Sequence, residues 1–173
     1  AGGIYLQLND MSGVNAPAWP KFARESPLCL VNTGDDSSVV KDGEIEYDVK
    51  PLRRPKFYNK VTRDGIPMWK IALRHSFDCI ASTISQTCVY WRSGDQCKFC
   101  GIELSLQDDN TVARKTPRQL IDVVDEAVAE GICGHLTLTT GTPSSDDRGI
   151  KSYVGTVEAL KSIHSSLPVQ VQF

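Results

Sequence analysis

Three cysteines lie within the 13-residue segment CVYWRSGDQCKFC, and their spacing is the strongest chemical signal in the chain. Cys97 and Cys100 form a CxxC pair, and Cys88 precedes them with eight residues between. Thiolates grouped this closely usually bind a metal ion or a cluster. Because there are three and not four, one coordination position is left for another ligand. The pattern favours an iron–sulfur cluster with one open iron, and a zinc site completed by His75 or Cys79 fits the same residues.

The composition is that of a soluble globular protein. The 173 residues suffice for one ordinary domain or for a domain with an appendage. Of these residues 40% are hydrophobic and 23% are charged, and the net charge is −2. This near-neutral balance argues against bulk binding to nucleic acid. No apolar run reaches the roughly 18 residues of a membrane span, and the first ten residues lack the features of a secretory signal. Six cysteines in such a chain predict a reducing, cytoplasmic location.

The first part of the sequence, up to residue 64, contains short β-type runs separated by turn residues. Strands are predicted at residues 4–8, 28–31, 39–40 and 44–49. Asp42 and Gly43 predict a hairpin turn, and Asp64 and Gly65 predict a second one that leads into a strand at 67–73. We therefore expect a small, mostly β unit over residues 1–64.

From residue 65 onwards, strands and helices alternate. The sequence predicts strands at 79–86, 135–139 and 169–173, and helices at 117–130 and 151–165. Thr116 is expected to cap the first helix, Pro117 to begin it and Gly131 to end it. This alternation is typical of parallel strands in an α/β fold. It predicts a parallel sheet or the first portion of a (β/α) barrel over residues 65–173.

Two of these strands alternate between polar and apolar residues. Leu136 and Leu138 alternate with His135, Thr137 and Thr139, and VQVQF at the end of the chain alternates likewise. A strand covered by helices on both faces would be apolar nearly throughout. The polar face is therefore expected to line an incompletely filled barrel or to face solvent. Because the sequence stops within a predicted strand and a complete (β/α)₈ barrel needs about 250 residues, we expect a longer protein.

Several motifs resemble one enzyme family. The stretch 79–106, with ARKTP at 113–117, LTLTTGT at 136–142 and LPVQVQF at 167–173, resembles a radical S-adenosylmethionine (SAM) enzyme. More narrowly, it is similar to the bacterial radical SAM family encoded beside a nitrilase, over about residues 50–173. In such enzymes three cysteines hold a [4Fe–4S] cluster, and SAM chelates the fourth iron. The reduced cluster cleaves SAM to a 5′-deoxyadenosyl radical, which abstracts hydrogen from the substrate.

The resemblance implies a set of site residues. It places the cluster ligands at Cys88, Cys97 and Cys100, an adenine contact at Phe99, and a turn that receives the methionine amino group of SAM at Thr140, Gly141 and Thr142. It also implies a small-molecule substrate and an electron donor of the flavodoxin or ferredoxin type. The sequence departs from the general C-x3-C-x2-C spacing, although a longer loop is a feature of the narrower family, and its turn has no acidic residue.

Two other classes of protein use similar cysteines. A zinc-stabilised binding module would use Cys88, Cys97 and Cys100 with His75 or Cys79 as the fourth ligand. An electron-transfer iron–sulfur protein is a third possibility, against which the lack of a fourth evenly spaced cysteine argues. The sequence does not identify the substrate.

Overall fold

The computed structural model describes residues 3–10, 12–17, 24–34, 37–98 and 100–172. The chain divides into two compact units, Ala1–Arg54 and Pro55–Phe173. The division lies ten residues before the predicted one, because the segment after Pro55 contributes to the second unit. Phe57 in this segment is fully buried in the hydrophobic core of that unit.

The first unit is an antiparallel sheet of five strands. The strands are β1 (Gly3–Leu8), β2 (Gly13–Pro17), β3 (Leu28–Gly34), β4 (Ser37–Asp42) and β5 (Ile45–Pro51), in the order β2-β1-β5-β4-β3. The predicted hairpin at Asp42 and Gly43 is confirmed: Asp42 pairs with Ile45, and Gly43 has a φ of +62°. Strand β2 was not predicted, because four of the five residues of its sequence GVNAP are of types that are uncommon in strands.

Within its described residues, the second unit contains a four-stranded sheet and four α-helices. The strands are β6 (Leu73–Arg74), β7 (Cys79–Thr83), β8 (His135–Thr139) and β9 (Val169–Val171). The helices are α1 (Val89–Ser93), α2 (Leu104–Gln107), α3 (Pro117–Ala129) and α4 (Ile150–Ile163). Strand β6 is antiparallel to β7, whereas β7, β8 and β9 are parallel neighbours. Within the described residues this sheet is open, so the α/β fold is confirmed and a partial barrel is not evident.

The core of the second unit lies between the sheet and the two long helices. Leu136 and Leu138 of β8 are fully buried, together with Leu120 of α3 and Leu160 of α4. The polar residues that alternate with them in β8 are only half-buried. The predicted alternation between a packed face and a polar face is therefore confirmed for this strand.

The start of α3 follows the predicted capping pattern. The Gln119 amide donates to Thr116 Oγ1 at 3.2 Å, and the Thr116 amide donates to Gln119 Oε1 at 2.9 Å, which makes a reciprocal capping box. Gly131 has a φ of +75° just beyond the helix, as expected of a helix-ending glycine. Among the described residues, no helix is long and apolar enough to span a membrane.

The predicted strand at 67–73 is wrong. Residues Met68–Lys70 form a 3-10 turn instead, and only Leu73 and Arg74 are in a strand. The buried residues here are Met68, Ile71 and Ala72, whose spacing of three and four matches a helical turn and not an alternating strand. The predicted turn before it does form, with Gly65 at a φ of +83°.

Candidate metal centre

The parallel pairing of β7 and β8 places the cysteine loop (residues 86–103) beside the Thr-Gly-Thr turn (residues 140–142). Thr83 at the end of β7 pairs with Thr139 at the end of β8. Backbone hydrogen bonds continue past both strands, from Ile84 N to Thr139 O, from Gly141 N to Ser85 O and from Val89 N to Thr142 O, each at 2.8 Å. The two segments therefore lie side by side at one edge of the sheet.

At Gly141 the turn lies very close to the backbone of the cysteine loop. A Cβ atom at this position would lie 2.3 Å from the Thr87 carbonyl oxygen and 3.1 Å from the Cβ of Cys88. Real Cβ contacts are much longer, so a residue with a side chain would force the backbones apart. Glycine at 141 is thus required by packing against the residue before the first cysteine.

The cysteine loop is closed at its base by two hydrogen bonds. The Cys88 amide donates to Glu103 Oε1 at 2.9 Å, and Gln86 Nε2 donates to the Ile102 carbonyl at 2.8 Å. All three predicted ligands lie between these fixed ends. Helix α1 occupies the first part of the loop, and Gly94 ends it with a φ of +80°.

The three cysteines differ in exposure. Cys88 and Cys100 are half-buried, whereas Cys97 is exposed, and the Cys100 amide donates to the Cys97 carbonyl at 3.0 Å in a tight turn. All six cysteines of the chain are free thiols. Among the described residues, no three His, Cys, Asp or Glu side chains are close enough to hold a metal ion, so these thiols do not surround a common centre here.

The donor set nevertheless fits an iron–sulfur cluster in type and number. Three sulfur donors are present on one loop whose two ends are held together. The assignment of Cys88, Cys97 and Cys100 as ligands stays a prediction. Phe99, the predicted adenine contact, lies outside the described residues.

The Thr-Gly-Thr turn already uses part of its hydrogen-bonding capacity. The Thr140 hydroxyl donates to the Gly141 carbonyl at 2.8 Å, and the Thr142 carbonyl accepts from the Val89 amide. A carbonyl oxygen has two lone pairs, so both carbonyls can accept one further hydrogen bond. The Thr140 hydroxyl oxygen also keeps its acceptor lone pairs, because its bond to Gly141 uses only its proton. The turn can therefore receive an ammonium group through the two carbonyl oxygens and the Thr140 hydroxyl oxygen.

The two candidate fourth ligands for zinc lie at the other end of β7. Cys79 is the first residue of this strand, its sulfur lies 3.5 Å from Thr137 Oγ1, and its carbonyl accepts from the His75 amide. Five strand residues span about 13 Å, and Cys88 follows the far end. This separation argues against a zinc site that joins either residue to the cysteine loop.

Sequence reasoning missed the residues that close the loop, namely Gln86, Glu103 and Lys115. Lys115 is buried, and its Nζ donates to Gln86 Oε1 at 3.3 Å and to Thr111 Oγ1 at 2.8 Å. Burial lowers the pKa of Lys115 to about 8. Residue type alone would have placed this lysine on the surface, and the ARKTP motif that contains it gave it no role.

Comparisons with protein-family models, with curated proteins and with solved structures found no significant match to this chain. The likeness to radical SAM enzymes therefore rests on the residues quoted above and stays a prediction.

Proposed function

We propose that this chain is the cluster-binding part, the N-terminal half, of a radical SAM enzyme. One observation carries the proposal. The loop that contains Cys88, Cys97 and Cys100 lies at the carboxyl ends of parallel strands, in contact with the turn around Gly141. Ligand sites of parallel α/β sheets gather at this edge. A zinc knuckle or an electron-transfer cluster needs no such neighbouring turn.

The roles of the residues follow from this placement. Cys88, Cys97 and Cys100 would hold a [4Fe–4S] cluster. When bound, such a cluster supplies the electron that cleaves SAM to a 5′-deoxyadenosyl radical, which abstracts hydrogen from a small substrate. The carbonyl oxygens of Gly141 and Thr142 would accept hydrogen bonds from the methionine amino group. Phe99 would pack near the adenine.

The proposal extends to the architecture and the partners. Strands β7, β8 and β9 with helices α3 and α4 would be the first elements of the (β/α) barrel of such an enzyme. The half-buried polar face of β8 would then line its lumen. A flavodoxin or ferredoxin would reduce the cluster.

Anaerobic reconstitution with iron and sulfide tests the proposal. We expect a brown protein with about four irons per chain, and 5′-deoxyadenosine on addition of SAM and a reductant. Cys97→Ala should lower the iron content sharply. Cys29→Ala, which changes an exposed cysteine of the first unit, is the matched control and should leave iron binding unchanged.

Two outcomes would overturn the proposal. A colourless protein that holds a single zinc ion would indicate the binding module instead. An iron–sulfur protein that forms no 5′-deoxyadenosine with SAM, as the full-length protein, would indicate electron transfer.

A further inference from the structure

A buried lysine lies behind the base of the cysteine loop. Lys115 is 4% exposed, and its ammonium group has three neutral oxygen acceptors: Gln86 Oε1 at 3.3 Å, Thr111 Oγ1 at 2.8 Å and the Val112 carbonyl at 3.4 Å. An ammonium group has three protons, so these acceptors match its full donor capacity. Gln86, at 8% exposed, is buried beside it.

The chemistry of these groups fixes the orientation of the Gln86 amide. The ammonium group of Lys115 can only donate, and the carbonyl of Ile102 can only accept. Both contacts are satisfied only when the amide oxygen faces Lys115 and the amide nitrogen faces Ile102, as the structure has them. The lysine and the Ile102 carbonyl together fix which end of the amide reaches the loop.

Burial of this lysine opposes folding. A buried ammonium group loses hydration, and its neutral partners return less than a carboxylate would. The lowered pKa of Lys115 reflects the same cost. Lys115 therefore lowers the stability of the fold, yet it completes the hydrogen bonds at the base of the loop. Its role in positioning Gln86 explains why a lysine is buried here.

We propose that Lys115 and Gln86 are positioning residues that hold the cysteine loop closed. Lys115 orients the Gln86 amide, and the amide holds Ile102, two residues beyond Cys100. The link between loop closure and cluster binding rests on the proposed function, whereas the closure itself does not.

The test measures alkylation of the metal-free, reduced chain by iodoacetamide, followed by mass spectrometry at each cysteine. Gln86→Glu retains an acceptor for Lys115 but cannot donate to the Ile102 carbonyl. Lys115→Met removes the donor that orients the amide. We expect both variants to raise the alkylation rates of the half-buried Cys88 and Cys100 about fivefold, the effect of one lost hydrogen bond on an opening equilibrium.

Two controls accompany these variants. Cys29, in the first unit, is an internal reference whose alkylation rate should not change. Lys161→Met is the matched variant, since Lys161 also donates to neutral carbonyls, those of Ser165 and Leu167, at the end of α4. It should leave Cys88 and Cys100 at the wild-type rate.

The urea midpoint separates positioning from general stabilisation. Lys115→Met should not lower it, because the variant also removes a buried charge. A lowered midpoint in both test variants, with faster alkylation at every cysteine, would overturn the proposal. Unchanged alkylation in Gln86→Glu would also overturn it, and this variant decides alone if Lys115→Met does not fold.

Reconstitution of the same proteins then separates the two proposals. If the wild-type chain binds no iron while Gln86→Glu speeds alkylation, the proposed function fails and the positioning role stands. If the wild-type chain binds four irons and Gln86→Glu alters neither alkylation nor iron content, the positioning role fails and the proposed function stands.

Discussion

Replacing Gly141 by alanine tests the contact on which the candidate site depends. The new Cβ would lie 2.3 Å from the Thr87 carbonyl oxygen and 2.8 Å from its carbonyl carbon. A carbon and a carbonyl oxygen normally stay at least about 3.3 Å apart, so one backbone must move by about 1 Å. The hydrogen bonds from Gly141 to Ser85 and from Val89 to Thr142 resist that movement.

The expected loss of stability has two causes, overpacking at Gly141 and a weakened hydrogen bond. Overpacking of a tight site typically costs about 1–3 kcal/mol, and weakening of one hydrogen bond adds about 1 kcal/mol. Gly141→Ala should therefore lower the free energy of unfolding by about 2–4 kcal/mol in urea. It should also raise the alkylation rate of Cys88, because the first cysteine is pushed from the turn.

Gly155→Ala is the matched control. Gly155 lies within α4, and nothing lies within 4 Å of the position of its new Cβ. Alanine at a helix interior is favoured over glycine by about 1 kcal/mol, so this variant should be more stable than the wild type. If Gly141→Ala is as stable as the wild type and Cys88 reacts no faster, the close approach at Gly141 is refuted.

Three further predictions concern stability, each measured by urea unfolding. Thr116→Ala should cost about 1 kcal/mol, because it removes the acceptor for the Gln119 amide; no loss would contradict the capping box. Tyr153→Phe should cost about 1 kcal/mol, because the hydroxyl donates to the Gln172 carbonyl at 2.7 Å, and an unchanged midpoint would contradict that bond. Between pH 8 and 10.5, the wild type should gain stability relative to Lys115→Met, by on the order of 3 kcal/mol in total.

The sign of the pH effect follows from proton binding. The pKa of Lys115 falls from 10.5 to about 8 on folding, so the unfolded chain binds more protons in that interval and stability rises with pH. Burial raises the pKa of Cys133 to about 11 and of Tyr153 to about 12, which lowers stability at high pH in both proteins. The difference between the two proteins therefore isolates Lys115, and a difference that does not change with pH would contradict its buried position.

The parts of the fold that were predicted correctly depend on local signals. Helix α3 has its start at Thr116 and Pro117 and its end before Gly131, all within one segment of sequence. Strand β8 alternates cleanly and was predicted with its observed bounds. Closure of a sheet into a barrel has no such local signal, since it depends on strand number and stagger. The alternation of strands and helices predicts that the strands pair in parallel, but it does not predict whether the sheet closes.

The candidate site likewise contains residues that the sequence identified and residues that it did not. The cysteines were found from their type and spacing, and the turn around Gly141 was found from the resemblance. Each follows a strand, and parallel strands bring their carboxyl ends together. Lys115 and Glu103 could not be found, because their contacts with Gln86 and Cys88 join residues 29 and 15 positions apart. Their residue types are those of ordinary surface positions.

The base of the cysteine loop is held by groups other than the cysteine thiols. Its contacts are the Gln86 amide with the Ile102 carbonyl, the Glu103 carboxylate with a backbone amide, and the backbone of Gly141. In a structural zinc site the metal supplies the folding energy, and the chain around it loses its structure without metal. Here protein contacts contribute to closing the loop, in addition to any metal that the thiols would bind.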